Sequence, residues 1–293
     1  MSKNTPNDDL VFQNYLLVFF DLIGQREALR KKTGIPITDS EKQNFLDLTK
    51  KSIGHVLRIR SAFDSYFNAL ASHVPNTNLV PIEHRDKFIE CQKTSFHYYG
   101  LSDAVVIAVP LMGENENCTA INSVHHALTA TCGIALLALS MGIPARAGID
   151  VGVATKIDDR EIYGSALARA VHLEGQIAEY PRLVVGEELR AYLNLVENQK
   201  SRTIFGKIAS GMAERCRELM VQDTDGRIIL DYLGKNIMKA FENKIEPELI
   251  KNAMDFITEQ HKKYIKTGND KLSARYYRMI RYFKSRLDVW GLE

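Results

Sequence analysis

Residues that staple a fold covalently or by metal are scarce in this sequence. Its 293 residues include four cysteines, Cys91, Cys118, Cys132 and Cys216, and no two of them lie close together. That scatter excludes a disulfide framework and the paired-cysteine signature of a zinc site. An excess of one charge sign is also missing. The formal net charge is +2, too small to make nucleic acid or an anionic membrane the main partner. No uninterrupted apolar run approaches the roughly 20 residues needed to cross a bilayer. The segment Met1 to Asp9 is polar and lacks the apolar centre of a signal peptide, so a cytoplasmic protein is expected. Internal repeats and low-complexity stretches are absent too.

A hydrophobic content of 45% with 25% charged residues is ordinary for a globular chain, and the length suits one large domain or one domain with an appendage. Residues 15–20 form a short apolar and aromatic run that reads as a buried strand. Asp21 closes this run and is followed by Leu22-Ile23-Gly24; Gly100-Leu101-Ser102-Asp103 opens a second apolar run, Ala104 to Val109. An acidic residue at a strand boundary beside a glycine thus occurs twice. Two carboxylates brought together over a sheet can hold a pair of divalent metals, a common means of activating a nucleotide phosphate.

A helix is predicted from a cap at Ser40 to about Ala71, with Phe45, Leu48, Ile53, Val56, Leu57 and Phe63 near helical spacing. Residues 93–110 read as a β-hairpin with Asp103 just past its tip. Ala120 to Met141 reads as an apolar helix ended by Gly142 and Pro144, and Ala145 to Val153 as a strand. A polar hairpin over 156–161 follows, then a helix opened by Tyr163-Gly164-Ser165. Arg182 to Val185 is a further strand with a helix after it, and a turn at 223–227 leads to the strand Ile228 to Tyr232. From about Gly234 the texture becomes helical and charged, over 246–264 and 272–287. The division expected is a mixed α+β domain over 11–233 and a helical appendage over 234–293.

Phe19-Phe20-Asp21-Leu22-Ile23-Gly24, Gly100-Leu101-Ser102-Asp103, Arg146-Ala147-Gly148-Ile149-Asp150-Val151-Gly152 and Tyr163-Gly164-Ser165-Ala166-Leu167 occur in that order. Together they resemble the catalytic domain of class III nucleotide cyclases, the adenylate and guanylate cyclase superfamily, over roughly 15–233. Within it the chain looks most like the bacterial pyrimidine nucleotide cyclases of anti-phage (Pycsar) defence, on Leu101-Ser102-Asp103-Ala104, on Asp225-Gly226 with Leu230-Asp231-Tyr232-Leu233, and on the long helical insertion after the first strand. The resemblance implies a ferredoxin-like sheet flanked by helices, a head-to-tail homodimer, and conversion of UTP or CTP to the 3′,5′-cyclic monophosphate and pyrophosphate. It also implies that a separate effector protein reads the product.

By the same resemblance, Asp21 and Asp103 bind two Mn²⁺ or Mg²⁺ ions per site, with the carbonyl of Leu22 completing one shell. Hard oxygen donors suit those ions. Leu22, Ile23 and Gly24 would bring backbone amides near the phosphates, and Arg26 would reach the triphosphate from the next helix. The base-contact positions correspond to Tyr99, where purine cyclases place lysine or glutamate, and to Glu161. Purine cyclases carry an asparagine and an arginine where this chain has Ala168 and His172, so Arg169 and His172, sharing a helix face opposite Leu167, Ala170, Val171 and Ile177, are the candidates to replace the missing cation. Each residue has a plainer alternative: turn capping for the aspartates, strand packing for Tyr99, and exposed charge for Glu161, Arg26 and Arg169. His125-His126 reads as a core or interface pair, Asp150 as structural, and the C-terminal run Arg275, Arg278, Arg281, Lys284 and Arg286 as a solvated face, a phosphate site or a dimer contact. The rival functions are an adenylate or guanylate cyclase and a degenerate homologue that binds nucleotide without turnover.

Overall fold

A computed structural model describes residues 10–24, 34–72, 80–91, 93–101, 103–112, 120–157, 160–199, 203–241 and 245–292. The protein is α+β, with an eight-stranded mixed sheet flanked by helices. Strand β1 (Phe12–Leu22) is followed by helix α1 (Asp39–Ala71), the short helix α2 (Arg85–Cys91), the hairpin β2 (His97–Leu101) and β3 (Ala104–Pro110), helix α3 (Ile121–Ser140) and strand β4 (Ala145–Lys156). β1 lies between β3 and β4 and is antiparallel to both, and β2 pairs with the outer edge of β3. The crossover from β1 to β2 therefore straddles β3, and the one from β3 to β4 straddles β1. Two split β-α-β units interleave.

Beyond β4 the sheet continues through β6 (Leu183–Val185), β8 (Ile228–Leu230) and β7 (Met220–Gln222), while β5 (Ile162–Gly164) folds back on β4. Among the described residues only the β4–β6 pair is parallel. The remaining helices are α4 (Ser165–His172), α5 (Glu187–Glu197), α6 (Ile204–Glu218), α7 (Lys235–Ala240), α8 (Pro247–Lys266) and α9 (Asp270–Lys284).

Alternation along β1 sends its side chains to two different environments. Leu16, Val18, Phe20 and Leu22 join the main core, with Val56, Ile59, Phe63 and Phe67 of α1 and most of α3. Tyr15, Leu17 and Phe19 enter a smaller cluster on the other face, with Tyr99, Val106 and Ala166 and Ala170 of α4. Helix α3 is the hub of the first face, packed against α1, α6 and α8. It is the one helix among the described residues long and apolar enough to cross a membrane, and 78% of its apolar stretch is buried inside the protein.

Helix α1 starts with a capping box at Thr38, whose hydroxyl accepts from the Glu41 amide while the Glu41 carboxylate accepts from the Thr38 amide. Thr38, and not Ser40, is thus the cap; Ser40 has Gln43 at the same spacing, but the reciprocal bonds form between Thr38 and Glu41. Phe45, Ile53 and Leu57, expected to face the core, are 40%, 51% and 56% exposed. The buried stripe is instead Ser52, Val56, Ile59, Phe63 and Phe67, so the first third of α1 projects beyond the sheet.

The helices after Gly234 share the main core: Ile250, Ala253, Ile257, Tyr276, Met279, Phe283 and Trp290 belong to the same apolar cluster as α3. Polar ties fix them. Trp290 Nε1 donates to the Leu233 carbonyl at 2.8 Å, Tyr282 Oη donates to Asp231 at 2.8 Å, and Arg286 lies 3.0 Å from the same carboxylate. A second clasp holds the turn at 223–227: buried Arg182 lies 2.5 Å from Asp223 and 2.7 Å from Asp225, and the Tyr180 hydroxyl donates to Asp223.

Candidate functional site

The register of β1 and β3 brings the two aspartates to the same end of the sheet. Asp21 pairs with Ala104, and Asp103 is the residue before Ala104. Asp103 is 6% exposed, and the Asp21 side chain is 14% exposed. Asp21 follows Tyr15, Leu17 and Phe19 in alternation and so belongs to the face covered by α4. After it the chain turns through Gly24, whose φ of 93° lies in the region that favours glycine. The amide of Ile23 donates to the Pro144 carbonyl at 2.8 Å, so Ile23 is tied to the start of β4 and any phosphate contact from this turn falls to later amides. Arg26 and Ser102 lie outside the described residues.

On the β4 side Asp21 pairs with Arg146. The Arg146 guanidinium lies 3.9 Å from the Asp21 carboxylate and 2.5 Å from that of Glu174, which is nearly buried in the turn after α4. Arg146 Nε is buried and has no hydrogen-bond partner among the described residues. Arg146 belongs to one of the motifs that carry the resemblance, but its place beside Asp21 follows from the β1–β4 register, and Glu174 carries no sequence signal at all.

The seating of α4 brings Glu174 there. A Cβ on Gly148 would run into the Ala170 carbonyl oxygen and stand 2.7 Å from the Glu174 amide nitrogen. Glycine therefore lets backbone meet backbone where α4 crosses β4.

Tyr99 pairs with Val106 and is 6% exposed within the second cluster. The β4–β5 hairpin curls over this same face: Ile162 is buried in the cluster with Tyr99, and Lys156 Nζ lies 2.7 Å from His97 Nε2 on β2. Glu161, the neighbour of Ile162, is exposed.

Arg169 and His172 both lie on the exposed side of α4, together with Ala168 and Val171. Val171, expected on the apolar stripe, is 40% exposed. Arg169 donates to the Val151 carbonyl at 3.1 Å and pairs with Glu188 at 3.4 Å, and Val151 lies five residues along β4 from Arg146. Within one chain, these contacts hold Arg169 away from the carboxylate pair. Asp150 is structural. Its carboxylate accepts from the Leu189 amide at 2.8 Å near the start of α5, and burial, the leading cause, raises its pKa.

Among the described residues no group of three or more His, Cys, Asp or Glu side chains is disposed to hold a metal. The pair Asp21 and Asp103 supplies hard oxygen donors of the kind Mg²⁺ and Mn²⁺ take, and Mg²⁺ is commonly held by one or two carboxylates with substrate phosphates and water completing the shell. The buried, unpartnered donor on Arg146 beside Asp21 suits an anionic oxygen in the same place. On donor chemistry the residues fit a metal that arrives with a phosphate, and they do not form a cage that binds one alone.

In comparisons with known proteins, no family model matches this chain, no curated protein matches it, and no solved structure matches it.

Proposed function

We propose that the protein is a nucleotide cyclase of the class III type, acting in the cytoplasm as a homodimer on UTP or CTP. The observation that carries the reading is that Asp21 and Asp103 meet at one end of a sheet whose first four strands are connected in a βαββαβ pattern, with α1 and α2 both in the first crossover, and lie in the order β4-β1-β3-β2. That is the ferredoxin-like arrangement such a catalytic domain uses. Bound metal would supply acidification of the ribose 3′-hydroxyl and neutralisation of the triphosphate. Asp21 and Asp103 would hold it, with the Leu22 carbonyl beside them.

The chain's own residues contribute orientation and charge. Arg146, fixed by Glu174, offers a donor to a phosphate oxygen next to Asp21. Tyr99 fills the wall of the second cluster that a purine would need, and the curled hairpin carries Glu161 toward the same face. Exposed apolar side chains on the start of β1, on the hairpin and on α4, among them Phe12, Val153, Tyr163 and Val171, offer contact surface to a second copy of the chain. In such a dimer, Arg169 and His172 would face the partner's carboxylates. The product would be a cyclic pyrimidine nucleotide read by a separate antiviral effector.

The engagement of Arg169 with Val151 and Glu188 favours a second reading, a homologue that binds nucleotide without turning it over.

Purified protein is incubated with UTP, CTP, ATP or GTP and Mn²⁺, and cyclic product is scored by mass spectrometry. Cyclic UMP or cyclic CMP is expected, with Asp103→Asn lowering turnover at least about a hundredfold while the circular dichroism spectrum is kept. A purine product would return the chain to the adenylate and guanylate cyclases. Silence with all four nucleotides, together with calorimetric binding of one of them, would establish the binding module. Unchanged turnover in Asp103→Asn would remove the metal reading altogether.

A further inference from the structure

Within the helical layer on the opposite face of the sheet lies a cavity of about 1300 Å³, bounded by residues of α1, α2, α3, α6, α7 and the start of α8. It exceeds the roughly 300–1,000 Å³ typical of small-molecule sites. Its walls are mostly apolar, with Tyr66, Phe88, Ile208, Met212, Phe241 and Leu249 among them.

The polar groups are unevenly distributed. Lys207, Arg215 and Lys239 line the cavity and are exposed at its mouth, against one lining carboxylate, Glu246. None of the three cations is paired with a carboxylate among the described residues; the Arg215 guanidinium reaches Met212 Sδ at 3.9 Å. Farther in, His125 and His126 each leave a buried Nδ1 without a hydrogen-bond partner among the described residues. Both imidazoles are held down to about 4, by burial first, so they are neutral at pH 7 and each can donate or accept one bond.

An apolar chamber whose rim carries three cations against one carboxylate, with imidazole nitrogens that have no partner among the described residues, is complementary to a molecule that is apolar along its length and anionic at one end. We propose that this cavity binds an amphiphilic anion, an apolar body with one carboxylate or phosphate head, the head seated among Lys207, Arg215 and Lys239. Burying the body removes apolar surface from water, and the rim exchanges three solvated charges for contact with one anion. A neutral or cationic molecule of the same shape gains the first effect and forfeits the second. The site is separate from the carboxylate pair, so the assignment stands whether or not the protein cyclises nucleotides.

The test is titration calorimetry on the full chain with decanoate, decyl phosphate, decyl maltoside and decyltrimethylammonium, each kept below its micelle concentration. The two anions are expected to bind at least tenfold more tightly than the neutral and cationic chains, and the tighter of the two identifies the head. A triple variant, Lys207→Gln with Arg215→Gln and Lys239→Gln, changes exposed side chains only. It is expected to weaken the anions at least tenfold and leave the neutral chain unchanged. Ile208→Trp, which narrows the chamber, is expected to weaken binding of all four. Equal binding of all four chains, unchanged anion affinity in the triple variant, or no binding to the folded wild type would each overturn the proposal.

Discussion

On one side of the sheet, Leu16, Val18, Phe20 and Leu22 of β1 meet α1 and α3, and behind those lie α6, α8 and α9. On the other, Tyr15, Leu17, Phe19 and Asp21 meet a single eight-residue helix, α4, and a hairpin folded back over the strands. Among the described residues the first side buries about fifty apolar residues in one continuous cluster; the second has a cluster of eleven and a separate one of three. The same strand therefore serves as a core element in one direction and as the floor of a candidate site in the other. Thick cover supplies stability, and the thinly covered face carries Asp21, Arg146 and Tyr99.

Adjacent residues of β1 test that contrast most directly. Phe20→Ala opens a hole in the thick core and should cost about 4 kcal/mol in urea unfolding, whereas Phe19→Ala, on the thinly covered face, should cost about half as much. Equal losses would mean that the two faces are packed alike.

The seating of α4 comes next. Gly148→Ala forces a Cβ against the Ala170 carbonyl and the Glu174 amide, both backbone atoms, and should cost about 3 kcal/mol. A change below about 1 kcal/mol would show that α4 shifts freely on the sheet and that Arg146 is not held by it.

A pH titration tests the thick side. His125 and His126 titrate near 6.5 when unfolded and are held to about 4 in the fold. Between those values the unfolded chain binds more protons, so the stability they contribute is complete above pH 6.5 and is lost as the pH falls toward 4. Acidification across that window should lower the stability progressively, and a His125→Asn, His126→Asn variant should flatten the curve. An equally steep curve in the variant would assign the acid sensitivity to other groups.

Much of the architecture is legible in the sequence because its period is clean. The run Tyr15 to Phe20, the apolar helix ended by Gly142 and Pro144, and the turn between β2 and β3 each announce one element. Asp21 and Asp103 can be brought together from sequence because each borders such an element. Arg146 cannot be placed that way, since a one-residue change in β1–β4 register would send it to the other face. Helix α6 and the three-residue β7 stay hidden, as short strands and moderately amphipathic helices carry weak periodic signals. Thr38 with Glu41 and Ser40 with Gln43 both have capping-box spacing, so spacing alone does not choose between them. The exposed start of α1 shows that apolar spacing does not say where a helix leaves its support.

The interleaving of the two split units also governs how the chain emerges from the ribosome. β1 is made first, yet its two neighbours are β3 and β4, and β4 ends at Lys156. At elongation speeds of roughly 5–20 residues per second, the strand waits on the order of ten seconds for its second partner. During that interval Tyr15-Leu16-Leu17-Val18-Phe19-Phe20 is an uncharged, proline-free β-forming segment with both edges open, the kind that joins other chains when left alone. Newly made protein should therefore depend on a holding chaperone for its yield far more than the finished fold depends on one for its survival.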